Sequence, residues 1–202
     1  MRKFLFVLIP ILIFTSCQPI LKLVFNVRNV KNLDTRLEAD SLDKKILNKF
    51  DVDYIMLYRT NKYVEATGDS SIWSGEMSYF DSSHVLYIQH TNYCPGTTHR
   101  DINADSLIPN IRTEENKDTI MIDSDLVGLE YLSGKSFELN SIKLKKYNVV
   151  MDFNSFWRGP EKKKLRAVSR ALPKDSTMFI LINKDYIEED RLHMYKRYMS
   201  KD

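Results

Sequence analysis

Three of the chain's four histidines and one of its two cysteines fall within sixteen residues: His84, His90, Cys94 and His99. Imidazole and thiolate are side chains that hold zinc, so composition alone points to metal-ligand chemistry. Spacing points away from it. His84 and His90 would share a strand face but stand roughly 20 Å apart along an extended chain, too far for one ion. His90, Cys94 and His99 could converge only through the Cys94-Pro95-Gly96 turn, and their spacing matches no zinc module. They are expected to be polar loop residues, with no metal and no cofactor. Cys94 could also act as a lone thiol, but a dithiol cycle needs a resolving partner, and the other cysteine, Cys17, has a different use. No Ser–His–Asp order, phosphate-binding loop or carboxylate pair stands out, so no catalytic residue is assigned. An enzyme using the His90, Cys94 and His99 loop is the alternative function.

Cys17 closes a segment with its own logic. Arg2 and Lys3 are followed by an uncharged apolar run from Phe4 to Phe14. As a helix the run would cover roughly 16 Å, about half of a ~30 Å hydrocarbon core. It is too short to span and has the anatomy of a signal peptide. Phe14-Thr15-Ser16-Cys17 resembles the lipobox of bacterial lipoproteins, with Phe14 where an aliphatic residue is usual. The resemblance implies cleavage before Cys17 and acylation of its thiol. It also implies a bacterial cell-envelope location, lipid-anchored and facing the periplasm, with the membrane as one partner. Ile20, Leu23, Val24 and Val27 share a helical face. Residues 17–30 are thus a lipid anchor followed by a first core strand, the simpler alternative, or by an interfacial segment.

Composition bounds the rest. The chain has 202 residues, 43% hydrophobic, 11% aromatic and 28% charged, with six Gly and six Pro. That is a one-domain length, or a domain plus a small accessory region, in mostly regular structure. Two cysteines exclude a disulfide scaffold. Without Arg2 and Lys3 the chain holds 28 basic and 27 acidic side chains, which excludes a nucleic-acid footprint.

The elements that must position these groups follow from periodicity and punctuation. Asp40 or Ser41 can cap a helix carrying Leu42, Ile46, Leu47 and Phe50. Residues 54–58 read as a strand, Asn61-Lys62 as a turn and 63–67 as a returning strand. Residues 72–80 and 84–90 are two more strands, 91–117 the longest loop, and 119–122 a short strand. Asn148 to Phe153 is a nearly continuous apolar run, as a buried central strand requires. A helix begins near Pro160, where a missing N–H costs nothing. Glu161, Leu165, Val168 and Leu172 share one of its faces. Pro173 ends it, and residues 178–182 form a second apolar strand. A parallel strand–helix–strand crossover is the default.

This unit resembles a thioredoxin-fold protein, whose strand ends Asp-Phe before Trp-Cys-Gly-Pro-Cys-Lys at a helix start. Here Asp152-Phe153 precedes Trp157-Arg158-Gly159-Pro160-Glu161-Lys162. Residues 133–143, Ser-Gly-Lys-Ser-Phe-Glu-Leu-Asn-Ser-Ile-Lys, resemble the lead-in of membrane-tethered periplasmic thiol–disulfide oxidoreductases. Residues 178–185 match the following strand and its polar end. The resemblance covers roughly residues 126–198. It implies an α/β or α+β fold with a mixed sheet. Residues 1–16 would be the signal peptide, 31–118 a strand-rich N-terminal region and 119–202 the thioredoxin-like region.

Two departures shape the expected function. Arg158 and Glu161 replace both redox cysteines. The family's chemistry needs a thiolate favoured by the helix N-terminus, and a guanidinium cannot be that nucleophile. Trp157, Arg158, Gly159, Pro160 and Glu161 thus form a degenerate redox motif, in which Arg158 and Glu161 either pair or are solvated. The chain also ends before the hairpin that normally follows. Either strands from the N-terminal region replace it, residues 54–67 being one permuted candidate, or the fold is a different one. The expectation is a non-catalytic binding or scaffold module with an envelope protein as partner. A generic lipoprotein unrelated to thioredoxins is a further alternative.

Overall fold

The computed structural model describes residues 33–68, 76–83, 86–91, 126–155, 158–185 and 187–190. Its centre is the apolar run anticipated above: Tyr147–Phe153 (β5) is buried at every position. Strand β5 pairs in parallel with Thr177–Asn183 (β6), in register from Tyr147↔Thr177 to Phe153↔Asn183. Arg158–Ala171 (which becomes α3 in chain order) joins them. Strand β6 also pairs in parallel with Tyr54–Arg59 (β1). On its other side β5 pairs antiparallel with Glu76–Phe80 (β2), which pairs antiparallel with Leu86–Thr91 (β3). A two-residue strand, Leu129–Glu130 (β4), lies antiparallel beside the end of β1. The six-stranded mixed sheet therefore runs β3-β2-β5-β6-β1-β4. With its helices it is an α+β fold, within the class expected.

The alternation of side chains across β5 and β6 divides the core into two layers. On one face, Arg36–Leu47 (α1) and α3 cover the sheet. Ile46, Leu47, Leu165, Val168 and Leu172 pack with Met77, Tyr79, Val149, Met151, Phe153, Phe179 and Leu181. On the other, Asn61–Thr67 (α2) and residues 126–144 contribute Tyr63, Val64, Leu126, Leu129, Phe137 and Leu139 against Leu57, Phe80, Val150, Ile180 and Ile182. No described helix is long and apolar enough to cross a membrane.

Several local expectations change. Helix α1 starts a turn early, because the Thr35 side chain accepts the Glu38 N–H at 3.2 Å; Asp40 and Ser41 lie inside it. Residues 61–67 are a helix, not a turn and strand. Thr60 caps it by accepting the Tyr63 N–H, and Gly68 closes it at φ 70°. Such a left-handed residue is a standard helix stop. The second and third strands are described from Glu76 and Leu86 onward. The 119–122 strand, Cys17 and the 17–30 segment lie outside the described residues. Residues 54–67 form no hairpin: 54–59 are β1, beside β6, and 61–67 are a helix, while an antiparallel hairpin of β2 and β3 lies on the other side of β5.

Candidate functional site

Because β1, β6 and β5 are parallel, their carboxyl ends meet at one edge of the sheet. In open parallel sheets this is where ligand sites form. Register puts Asn183 level with Tyr58 on one side and Phe153 on the other. Just beyond lie Asn154-Ser155 and Lys184-Asp185, and Asp43 of α1 faces Asn183 from the helical layer. Asp43, Arg59, Asp152, Asn154, Ser155, Asn183, Lys184 and Asp185 are all at least nine-tenths buried. This concentration of polar groups lies beside an otherwise apolar core, where burying charge costs free energy unless it is paired.

The pairing is specific. The Asp185 carboxylate accepts the Ser155 N–H at 3.0 and 3.2 Å and the Ser155 hydroxyl at 3.2 Å. The Asp185 N–H donates to Asn183 Oδ1 at 2.9 Å, and Asn183 Nδ2 donates to Asp43 Oδ2 at 2.7 Å. One asparagine thus joins the β6 turn to α1. Lys184 donates its N–H to the Phe153 carbonyl at 2.8 Å. Its ammonium lies 3.4 Å from Asp152 Oδ1 on the opposite face. The Tyr58 hydroxyl is buried with no hydrogen-bond partner among the described residues. Its ring carries the Arg36 guanidinium at 5.4 Å, and Arg36 is itself paired with Glu130 at 2.9 Å and Asp190 at 2.7 Å.

Burial dominates the titration of these groups. It pushes the Asp185 carboxyl up to about 6, against the hydrogen bonds from Ser155 and Asn183 and the charge of Arg59. It likewise holds the Tyr58 hydroxyl far above its ordinary range, with Asp43 and Asp40 adding to the effect and Arg36 opposing it. Chemically the cluster is a polar network bonded mostly within itself, with the Tyr58 hydroxyl left over among the described residues. Its clearest local effect is to fix Ser155, three residues before α3 begins.

That helix start is the segment whose sequence resembles a redox motif. Arg158, Gly159, Pro160 and Glu161 occupy the first turn of α3, with Arg158 and Glu161 three apart in helical backbone. Trp157 and the side chains of Arg158, Pro160 and Glu161 lie outside the described residues. So do Cys94, His99 and His84; His90 is in β3, its side chain undescribed. Among the described residues no group of three His, Cys, Asp or Glu side chains could hold a metal ion.

Sequence reasoning singled out the helix start but missed the polar network behind it. Asn183-Lys184-Asp185 reads as the polar end of a strand, and polar ends are usually solvated. Asp43 comes from 140 residues away. The available signal was the recurrence of short polar residues, Asn154-Ser155 and Asn183-Lys184-Asp185, directly after two adjacent buried strands.

No protein-family model, curated protein or solved structure matches this chain.

Proposed function

We propose that this chain is a lipid-anchored cell-envelope protein whose folded part is a thioredoxin-like module without redox chemistry, acting by binding a partner. The observation that carries the reading is the parallel β5–α3–β6 unit with Arg158 and Glu161 in the first turn of α3. That turn is where thioredoxin-like oxidoreductases keep their two thiols. The sheet order adds support. The parallel set β1, β6, β5 is flanked beyond β5 by an antiparallel hairpin. Thioredoxin-like chains place a hairpin after this unit; here it is supplied from earlier in the chain. The Phe14-Thr15-Ser16-Cys17 sequence supports the anchor.

With a guanidinium and a carboxylate in place of two thiolates, the helix start can present charge and hydrogen bonds but cannot exchange disulfides. The wild-type protein is expected not to reduce insulin disulfides. The double variant Arg158→Cys, Glu161→Cys is expected to oxidise readily to an intramolecular disulfide, since helical spacing holds the two positions within the roughly 4.4–6.8 Å Cα separation a disulfide requires. It should then acquire insulin reduction. Wild-type turnover that Cys94→Ala abolishes would instead establish an enzyme using the Cys94 loop. A folded double variant that forms the disulfide but shows no exchange activity would remove the thioredoxin-like reading. The anchor is tested separately: Cys17→Ser should lose metabolic lipid labelling, and unchanged labelling and mass would refute acylation.

A further inference from the structure

The chain as a whole is nearly balanced in charge, but α3 is not. Its fourteen residues carry six basic side chains and one acidic one. Helix α1, covering the same face of the sheet, mixes Glu38, Asp40 and Asp43 with Lys44 and Lys45 and forms an Asp40–Lys44 pair. The imbalance of α3 is therefore local rather than compositional. Leu165, Val168 and Leu172 bury one side of the helix. Lys163, Arg166 and Arg170 are exposed, and at 100° per residue they fall on the opposite side within one narrow stripe. None of the three is in an ion pair among the described residues. Like charges at i, i+4, as at Arg166 and Arg170, destabilise a helix slightly. The stripe thus works against helix stability, and no acidic residue on the same face offsets it.

We propose that the outer face of α3 is a docking surface for anionic phospholipid headgroups. The proposal rests on the lipid-anchor reading, which holds the folded part beside a membrane. A planar anionic surface suits the stripe: it is straight, one helix long and carries Lys163, Arg166 and Arg170 with only the small Ala167 beside them, and no large apolar side chain of the kind a peptide groove would receive. The near-balanced total charge provides no long-range attraction for a soluble polyanion such as nucleic acid. Docked this way, α3 lies flat on the bilayer.

The full chain carrying Cys17→Ser, free of acyl groups, is mixed with vesicles of phosphatidylcholine alone or of phosphatidylcholine with phosphatidylglycerol. Binding to the neutral vesicles reports the apolar leader; the gain on adding phosphatidylglycerol reports the leader's Arg2 and Lys3 together with the stripe. Each basic residue at an anionic surface adds about a fivefold gain in partitioning, so the three of the stripe give on the order of a hundredfold. The gain should shrink with added salt and fall by about that factor in Lys163→Glu, Arg166→Glu, Arg170→Glu. The control Lys62→Glu, Lys135→Glu, Lys143→Glu makes the same charge change at exposed lysines of the opposite layer and should retain most of it. An anionic gain that is undiminished in the α3 triple variant, is lost equally in the control, or is absent from the start overturns the proposal. So does retention on a nucleic-acid or acidic-protein column without any phosphatidylglycerol gain. Failure here leaves the lipid labelling of Cys17 untouched, so the two ideas fall separately.

Discussion

Asp185 spends hydrogen bonds to keep a charge where burial opposes it. Its carboxyl titrates at about 6 in the folded protein against an ordinary 3.8, so the folded state holds the proton more tightly than the unfolded chain. The stabilisation from that proton is fully present below about pH 4 and is lost as pH rises through about 6. Asp185→Asn removes this titration. The melting temperature of the variant relative to wild type should therefore rise between pH 4 and pH 7, and a pH-independent difference would contradict the assignment. Asn183 is the complementary case. Its side-chain N–H donates to buried Asp43 and its Oδ1 accepts the Asp185 N–H. Asn183→Ala withdraws both at once and should destabilise by about 2–4 kcal/mol in urea denaturation; a cost below 0.5 kcal/mol, the range of a surface substitution, would show that the network is dispensable.

At the scale of elements, what was legible in the sequence is what local pattern determines. The β5 run, the α3 face of Leu165, Val168 and Leu172, and the β6 run each announce themselves within a dozen residues. Helix α2 was misread because Tyr63 and Val64 carry strand propensity, although Thr60 and Gly68 bracket the segment with both helix caps. The buried end of the sheet was invisible for a different reason: its partners are fixed by topology, which local periodicity does not encode. Two glycines separate those effects experimentally. Gly68 and Gly128 both have positive φ, 70° and 80°. A Cβ at Gly68 meets open space, whereas at Gly128 it would lie 2.4 Å from the Tyr63 nitrogen. There the turn before β4 presses on α2, and Thr60 donates its hydroxyl to the Gly128 carbonyl at 2.5 Å. Gly68→Ala should cost about 1–2 kcal/mol, the left-handed penalty alone. Gly128→Ala should cost distinctly more, since backbone must also move. Equal costs by urea denaturation would mean that the α2–β4 contact is loose.

For the molecule as a whole, the division of the chain at about residue 118 does not divide the sheet. Strand β5 lies between β2 and β6, and β6 between β5 and β1, so each central strand of the C-terminal part has a neighbour from the N-terminal part. Residues 119–202 made alone would expose an apolar strand edge on both sides and lose Ile46, Leu47, Met77 and Tyr79 from one layer. The fragment should show no cooperative thermal transition, and should recover one when mixed with residues 18–118. A sharp transition from the fragment alone would mean that the N-terminal strands are accessory.

The order of the strands also sets a timetable. Synthesis delivers β1, β2 and β3 first and the two strands that join them last. Tyr58 waits 125 residues for its partner Asn183, and Phe80 waits 68 for Asn148. Among the described residues the β2–β3 hairpin is the early pairing with a nearby partner. Until β6 emerges, β1 can pair only at its end with the two residues of β4 and keeps its other edge open, the condition that invites non-native pairing. Closing the sheet through such distant contacts makes folding slow relative to a helical chain of equal size. The newly made chain therefore spends its longest interval with its centre missing, and a factor that shields strand edges would act on it before β6 is complete.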